Sequence, residues 1–209
     1  MSDIEQGTDA WRMQRLGHVT ASRMSDVIAR TKTGWGASRA NYMAELVAER
    51  LTGVPVEGYK NAAMQWGTDT EPDAIAAYEF RTGNTVERVG FILHPVIPQS
   101  GASPDGTIAD EGLVEVKCPQ TATHIDTLLG QGEPGKYLAQ MQWQMACTGR
   151  EWCDFVSFDP RMPEAMRLVI RRIPRDDDMI GRLETDVLAF LAELDDTVAK
   201  LLARYGDGT

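Results

Sequence analysis

The chain has 209 residues, of which 43% are hydrophobic and 25% are charged. This composition indicates one compact domain with a sizeable core, and it excludes a disordered chain, a collagen-like repeat and a disulfide-stapled scaffold. The formal net charge of −10 argues at first against a partner as negative as nucleic acid.

The first part of the chain is predicted to be helical. Asp9 is an acidic N-cap and Gly17 a helix stop, while Thr20 and Ser22 can cap the following helix. Helices are predicted over about residues 9–17, 20–28, 39–51 and 62–81, with a loop at residues 32–38.

The pattern then changes to short β-like runs separated by turns. Strands are predicted over residues 85–89, 90–93, 100–103, 107–108, 113–117, 152–158 and 166–173, and later helices over 123–129, 137–148 and 176–205. This order predicts an α/β fold in which helices flank a mixed central β-sheet. Without repeats or long linkers we expect one domain over 1–209, with a mainly helical part (1–84), a sheet-bearing part (85–175) and an acidic C-terminal helix (176–209).

The strongest chemical signal is the turn Pro104-Asp105-Gly106 followed by Glu115 and Lys117. Side chains alternate along a strand, so Glu115 and Lys117 share one face, and the short connection brings Asp105 beside Glu115. Two carboxylates with a lysine on the same face form a site for a hard divalent cation and a water molecule. A solvated surface strand is the alternative, but the turn at this spacing favours the metal site.

In this interpretation Asp105 and Glu115 hold Mg²⁺, and the backbone carbonyl of Val116 is a further oxygen ligand. Lys117 orients the attacking water or stabilises the charge that builds up on a phosphoryl group. The metal lowers the pKa of Lys117 and the carboxylates raise it, and the sequence does not decide which influence is larger.

This arrangement resembles that of the PD-(D/E)xK nuclease superfamily, and further blocks narrow the resemblance to the phage lambda exonuclease family, the YqaJ-like viral recombinases. Eight blocks match in order through most of the chain: Gln6–Trp11, Arg15–Gly17, Thr20–Ser22, Trp66–Gly67 leading to Glu71, Ala102–Gly106, Gly112–Pro119, Tyr137–Gln142 and Asp159–Met162. The resemblance implies a restriction-endonuclease-like core.

The resemblance also implies roles for residues outside the two strands. Glu71 faces the metal site from its helix, through a water molecule, although an exposed glutamate beside Pro72 is the alternative. Gln140 helps to position the nucleophilic water or the lysine. Gln142 projects about 200° away on the same helix, so only one of the two can face the site.

A pocket for a 5′-terminal phosphate is implied at Arg15, Thr20, Ser22 and Ser103. An arginine fork and hydroxyl groups near a helix N-terminus are suited to an anion. Thr20 taken alone is better explained as a helix cap, whereas Arg15 favours the phosphate. Tyr137 either touches a phosphate or is a half-buried helix residue.

The resemblance implies a Mg²⁺-dependent exonuclease, with Mn²⁺ as a substitute, that degrades the 5′-phosphorylated strand of double-stranded DNA from 5′ to 3′. The 3′ single-stranded tails would enter phage-type recombination with a single-strand annealing protein, and the enzyme would be a ring-shaped homotrimer. A PD-(D/E)xK endonuclease is one alternative. The other is a DNA-binding recombination accessory protein with a vestigial site, against which the intact Asp105, Glu115 and Lys117 count.

The remaining features concern location and charge. Three cysteines without C-x-x-C spacing, no signal-like N-terminus and no membrane-length apolar run predict a protein of the bacterial cytoplasm, encoded by a phage or prophage. Residues 10–43 carry six basic side chains and one acidic one, whereas residues 176–209 have a net charge of −6. We therefore expect a locally positive DNA channel, with the acidic C-terminal helix facing away from it.

Overall fold

The computed structural model describes residues 4–56, 61–131 and 135–206. Within these ranges the α-helices are α1 (Asp9–Arg15), α2 (Met24–Val27), α3 (Ala37–Thr52), α4 (Ala62–Thr82), α5 (Thr121–Leu128), α6 (Leu138–Thr148) and α7 (Asp177–Tyr205). Helices α3, α4 and α6 each end at a glycine with positive φ, which accommodates the left-handed C-cap without steric cost. These bounds confirm most of the predicted helices, with ends shifted by a few residues.

The strands of the described ranges are β1 (Val19–Thr20), β2 (Arg30–Thr31), β3 (Gly34–Trp35), β4 (Ile92–Leu93), β5 (Ser100–Ala102), β6 (Gly106–Ile108), β7 (Gly112–Lys117), β8 (Trp152–Phe158) and β9 (Leu168–Pro174). The central sheet has the order β6-β7-β8-β9, in which β7 and β8 are parallel and the other pairs antiparallel. A second sheet has the order β1-β5-β4, and β2 pairs with β3. The predicted fold class, a mixed sheet flanked by helices, is confirmed.

Strand β7 separates two apolar layers. Leu113 belongs to a buried cluster with Met141 of α6. Val116, on the opposite face, belongs to a second cluster with Ile75 of α4. Because side chains alternate along a strand, Glu115 lies on the α6 face, between the sheet and that helix.

Helix α7 covers the N-terminal helices with an apolar stripe. Its residues Val187, Phe190 and Leu194 are fully buried, and Phe190 stacks on Tyr42 of α3 with 5.6 Å between the ring centroids. Spacings of three and four residues place this stripe on one helix face. No helix within the described ranges is long and apolar enough to cross a membrane.

The acidic helix α7 also contacts the basic N-terminal segment. Arg30 pairs with Asp186 at 3.0 Å, and Arg39 pairs with Glu193 at 2.7 Å. The packing of α7 on the N-terminal helices brings these oppositely charged side chains together. Arg30 and Arg39 are therefore paired with the acidic helix, which contradicts the expectation that this helix faces away from the basic residues of segment 10–43.

Four local predictions are also wrong. The N-cap of α1 is Thr8 and not Asp9, because the Thr8 hydroxyl accepts a hydrogen bond from the Trp11 amide at 3.2 Å. Residues 85–89 form no strand, and an isolated bridge joins Glu87 to Thr107. Part of the predicted loop at 32–38 forms β3. Thr20 makes no capping hydrogen bond, because it pairs in β1 and its amide donates to the Tyr42 hydroxyl at 3.1 Å. A short 3₁₀ turn and the four-residue α2 follow it.

The end of β8 is anchored by Asp159, whose side chain is fully buried. Its carboxylate accepts hydrogen bonds from the Thr121 hydroxyl at 2.7 Å and from Nε and Nη2 of Arg161 at 2.7 and 2.9 Å. Burial opposes ionisation of Asp159, but the hydrogen bonds from Arg161 and Thr121 lower the pKa of its carboxyl to about 2. Asp159 therefore remains ionised in the folded protein at neutral pH.

We expect Asp159→Asn to lower the free energy of unfolding by about 1–3 kcal/mol near neutral pH. A carboxyl whose pKa is depressed in the folded state stabilises the fold above its ordinary pKa and loses that effect as the pH falls toward the folded pKa. The difference between wild type and variant should therefore shrink as the pH falls from about 5 toward 2. Urea denaturation across this range measures it, and a difference independent of pH would contradict the depressed pKa.

Candidate active site

Asp105 lies beside Glu115 because β6 pairs with β7. Asp105 directly precedes β6, and its Oδ2 accepts a hydrogen bond from the Val116 amide at 2.6 Å. The next residue must be Gly106, since a Cβ there would lie 2.2 Å from Cγ1 of Val86. The turn thus fixes Asp105 against the strand that carries Glu115, as the sequence predicts.

The Glu115 carboxylate is the centre of a buried hydrogen-bond cluster. Glu115 is only 1% exposed. Its Oε1 accepts hydrogen bonds from Lys117 Nζ and, at 2.6 Å, from Gln140 Nε2, and its Oε2 accepts one from Gln144 Nε2 at 2.6 Å. The structure therefore brings together three of the predicted site residues, Glu115, Lys117 and Gln140.

Helix α6 presents two glutamines to this cluster, of which sequence reasoning found one. Gln142 faces the other side, where its amide donates to the Pro174 carbonyl and accepts from the Asp176 amide. This confirms that only one residue of the Gln140/Gln142 pair faces the site. Gln144, which was missed, follows Gln140 by four residues and so shares its helix face, and this spacing is the signal that finds it.

The cluster has a strongly perturbed electrostatic environment. Burial, followed by the charge of Glu115, raises the pKa of Asp105 well above its ordinary value. Burial alone would lower the pKa of Lys117, but the charges of Glu115 and Asp105 outweigh it, so the net shift is upward. The carboxylates of Glu115 and Asp105 therefore raise the pKa of Lys117 more than burial lowers it.

Glu71 reaches the edge of this site from α4. Its carboxylate pairs with Arg88, whose guanidinium also donates to the backbone carbonyl of Asp105 at 3.2 Å. Glu71 is thus paired at the edge of the site, and its contact with a metal through water stays a prediction. Arg88 carries no signal in the sequence, because it follows the bridged residue Glu87 in a segment without regular periodicity.

The donor atoms of the cluster fit a hard cation such as Mg²⁺, which prefers oxygen ligands. Asp105 and Glu115 supply carboxylate oxygens, and the buried Oε1 of Gln144 has no hydrogen-bond partner in the described ranges. In the same ranges no three His, Cys, Asp or Glu side chains are grouped to hold a metal by themselves. A complete shell therefore requires further oxygens, for which the Val116 carbonyl and water remain the prediction.

Of the four residues predicted for phosphate binding, Arg15 and Ser103 are linked through Trp11, and Thr20 and Ser22 contact each other. The Arg15 guanidinium lies over the Trp11 ring at 3.9 Å, and the indole Nε1 donates to Ser103 Oγ at 3.0 Å. Burial lowers the pKa of Arg15. The hydroxyls of Thr20 and Ser22 are 3.4 Å apart. Within the described ranges the Arg15 side chain has no hydrogen bond or ion pair, so its donors are available to an anion.

Tyr137 lies at the mouth of the cluster and is half-buried. Its ring stacks on Phe155 with 5.9 Å between centroids, and Lys117 Nζ lies 4.7 Å from the ring centroid. The ring therefore restrains the lysine by a cation–π contact. Phosphate contact by its hydroxyl stays a prediction.

We expect Gln144→Leu to lower the free energy of unfolding by about 1–3 kcal/mol, because Glu115 Oε2 loses its buried donor. In a Glu115→Gln background, where no carboxylate needs that donor, the same change should cost clearly less. Urea denaturation of the four proteins gives the coupling energy. Equal costs in the two backgrounds would show that Gln144 acts through packing alone.

The chain is similar to known proteins over most of its length. Residues 10–151 match the family described as YqaJ-like viral recombinase domain. No curated protein sequence matches the chain. Among solved structures, the chain is similar to an alkaline exonuclease (LHK-Exo) from Laribacter hongkongensis, with 51% identity over 97% of this chain and 100% of that chain and a TM-score of 0.89. The structure of LHK-Exo in complex with dAMP gives the same values.

A phage related exonuclease from Haemophilus somnus 129PT is 17% identical, over 88% of this chain and 96% of that chain, with a TM-score of 0.72, which supports the fold alone. The family match includes Arg15, Asp105, Glu115 and Lys117 and extends over more than half of the sequence. The chain belongs to the YqaJ-like viral recombinase family.

Proposed function

We propose that this chain is a Mg²⁺-dependent exonuclease that degrades the 5′-phosphorylated strand of double-stranded DNA from 5′ to 3′. The observation that carries the proposal is the buried cluster of Asp105, Glu115 and Lys117, at the end of the β6–β7 hairpin opposite its turn. A relative similar over the whole chain is described as an alkaline exonuclease, and its complex with dAMP supports a nucleotide chain as substrate.

Asp105, Glu115 and the Val116 carbonyl would hold Mg²⁺, with Glu71 contacting it through water and Mn²⁺ able to substitute. The cation would supply Lewis-acid activation of the scissile phosphate and a water of lowered pKa. The protein's own part is orientation. The donors on Glu115 hold its carboxylate in one position, and the Val116 amide does the same for Asp105.

Lys117 would stabilise the negative charge that builds up on the phosphate during hydrolysis. Its ammonium is held between Glu115 and the Tyr137 ring, so its position is defined before substrate binds. Gln140 shares Glu115 Oε1 with Lys117 and is therefore within reach of the lysine or of the attacking water. Tyr137 lies at the same edge and can contact the phosphate.

The enzyme would select the 5′-phosphorylated strand with a phosphate pocket formed by Arg15, Thr20, Ser22 and Ser103. Arg15 is half-buried and, although Glu45 and Glu49 lie near enough to act on its charge, it forms no ion pair in the described ranges, which leaves its donors for a terminal phosphate dianion. Trp11 connects Arg15 to Ser103, two residues before Asp105. A 5′-terminal phosphate bound here would place the first phosphodiester near the carboxylates.

The products would be 3′ single-stranded tails for phage-type homologous recombination, passed to a single-strand annealing protein. The family description as a viral recombinase supports this context. We further propose a ring-shaped homotrimer around the DNA. Phe80 of α4 is 94% exposed and Val96 is 73% exposed. Burial of these apolar side chains against a neighbouring subunit would be favourable.

The exonuclease is tested with 5′-phosphorylated linear duplex and covalently closed circles of the same sequence, each with Mg²⁺ or with chelator. We expect Mg²⁺-dependent loss of the linear DNA only, and a decrease of about 100-fold or more in Lys117→Ala. Lys136→Ala is the matched control, because Lys136 also lies over the Tyr137 ring, at 5.2 Å, but on an exposed turn.

The other outcomes separate the alternatives. Nicking of circles as fast as linear DNA would establish an endonuclease. DNA binding without cleavage in either divalent cation would indicate an accessory protein with a vestigial site. Full activity of Lys117→Ala would contradict the assigned site.

We expect Arg15→Ala to remove the preference for 5′-phosphorylated over 5′-hydroxyl ends, with a loss of about 10- to 100-fold confined to the phosphorylated substrate. The physical reason is that only the phosphate is paired with the Arg15 charge. Arg12→Ala on the same helix is the control, because Arg12 is paired with Asp9. Initial rates on the two ends measure the ratio, and an unchanged ratio would place the phosphate pocket elsewhere.

A further inference from the structure

The segment Asp159–Met162 follows the residues 10–151 that match the family and has no place in the mechanism above. In the structure it follows β8, and its Arg161 borders a cavity of about 230 Å³. The other walls are Ala62, Ala63 and Trp66 of α4 and residues 118–120. Because Cys118 directly follows Lys117, this cavity adjoins the catalytic strand.

Arg161 is held rigidly although 47% of its side chain is exposed. Its Nε and Nη2 bind the two oxygens of the buried Asp159 carboxylate, and Nη2 also donates to the Pro119 carbonyl at 3.3 Å. The guanidinium lies over the Trp66 ring at 4.5 Å. An arginine fixed on two sides loses little conformational entropy when it binds a further group.

Some hydrogen-bond donors of the Arg161 guanidinium have no acceptor in the described part of the chain. A guanidinium has five N–H donors, of which two are on Nη1. No acceptor for Nη1 lies within the described part of the chain, whereas Nε and Nη2 are both used. Among the described residues that line the cavity, Arg161 is the only charged one, so no carboxylate there competes for these donors.

We propose that the Arg161 cavity is a second phosphate site, which binds a DNA backbone phosphate close to the scissile one through Nη1 of Arg161. Asp159 and Trp66 act as positioning residues for the guanidinium. A phosphate oxygen is the acceptor that matches a fixed, charged pair of N–H donors. The proposal rests on the proposed action on DNA, and the phosphate can belong to the duplex or to a separated single strand.

The test is equilibrium binding of the full chain to fluorescent DNA in chelator, so that no hydrolysis intervenes. The probes are a 5′-phosphorylated blunt duplex and a single-stranded oligonucleotide, each titrated at several salt concentrations. We expect Arg161→Gln to weaken binding about tenfold on at least one probe and to reduce the slope of log K against log salt by about 0.7–0.9. A larger loss on one probe identifies the strand that supplies the phosphate.

Arg167→Gln is the matched control, because Arg167 lies in the same connection between β8 and β9, donates to the Met162 carbonyl and does not line the cavity. It should leave affinity and slope near the wild-type values. Asp159→Asn should weaken binding but keep the slope, since the positive charge remains while its position is lost. If Arg161→Gln proves unfolded by circular dichroism, Arg161→Lys replaces it, with the slope kept and the affinity reduced.

The proposal is overturned if Arg161→Gln binds both probes like the wild type, or if Arg167→Gln loses as much. These results are distinguishable from failure of the proposed function. A wild-type chain that binds DNA with an Arg161-dependent slope but never degrades it would retain the phosphate site and lose the exonuclease. A chain that degrades linear duplex without any Arg161 effect would do the reverse.

Discussion

The Glu115 carboxylate is buried in the middle of the central sheet, and the free-energy cost of burying it has to be compensated. Lys117, Gln140 and Gln144 provide that compensation, which ties β7 to α6 in one register. Leu113, on the same face of β7, belongs to an apolar cluster with α6 that excludes water from the cluster's inner side. A site built this way has little freedom to rearrange, because moving either element would leave a buried charge without its donors.

The acidic side chains behind the net charge of −10 are concentrated in particular parts of the structure. Part of it belongs to α7, where Asp186 and Glu193 neutralise Arg30 and Arg39 across the helix interface. Another part is the carboxylate cluster, where a divalent cation would offset it. Arg15 forms no ion pair within the described ranges, and a cation left unpaired in a half-buried position favours binding at a defined phosphate over general adhesion to the polyanion.

The sequence predicted the helices, the central strands and the arrangement of Asp105, Glu115 and Lys117 because each depends on local periodicity or on short turns, whereas Gln140 was implied by the resemblance to the family. It failed where tertiary pairing decides the outcome. Thr20 is drawn into β1 by β5 and Tyr42, which a capping rule does not foresee. Arg88 reaches Glu71 across a loop, and a contact of that kind has no local pattern. Gln144 could have been predicted from the sequence, since it lies one helical turn beyond Gln140.

The Trp11 side chain has a mechanical consequence. Its ring supports Arg15 and its indole N–H holds Ser103, which is joined to Asp105 through one rigid proline. The group suited to a DNA end and the group suited to a cation are thus separated by a fixed span, without a flexible loop between them. If the proposed DNA end and cation bind at these two groups, the distance between them would be set by the contacts of Trp11 rather than by the sequence of the DNA.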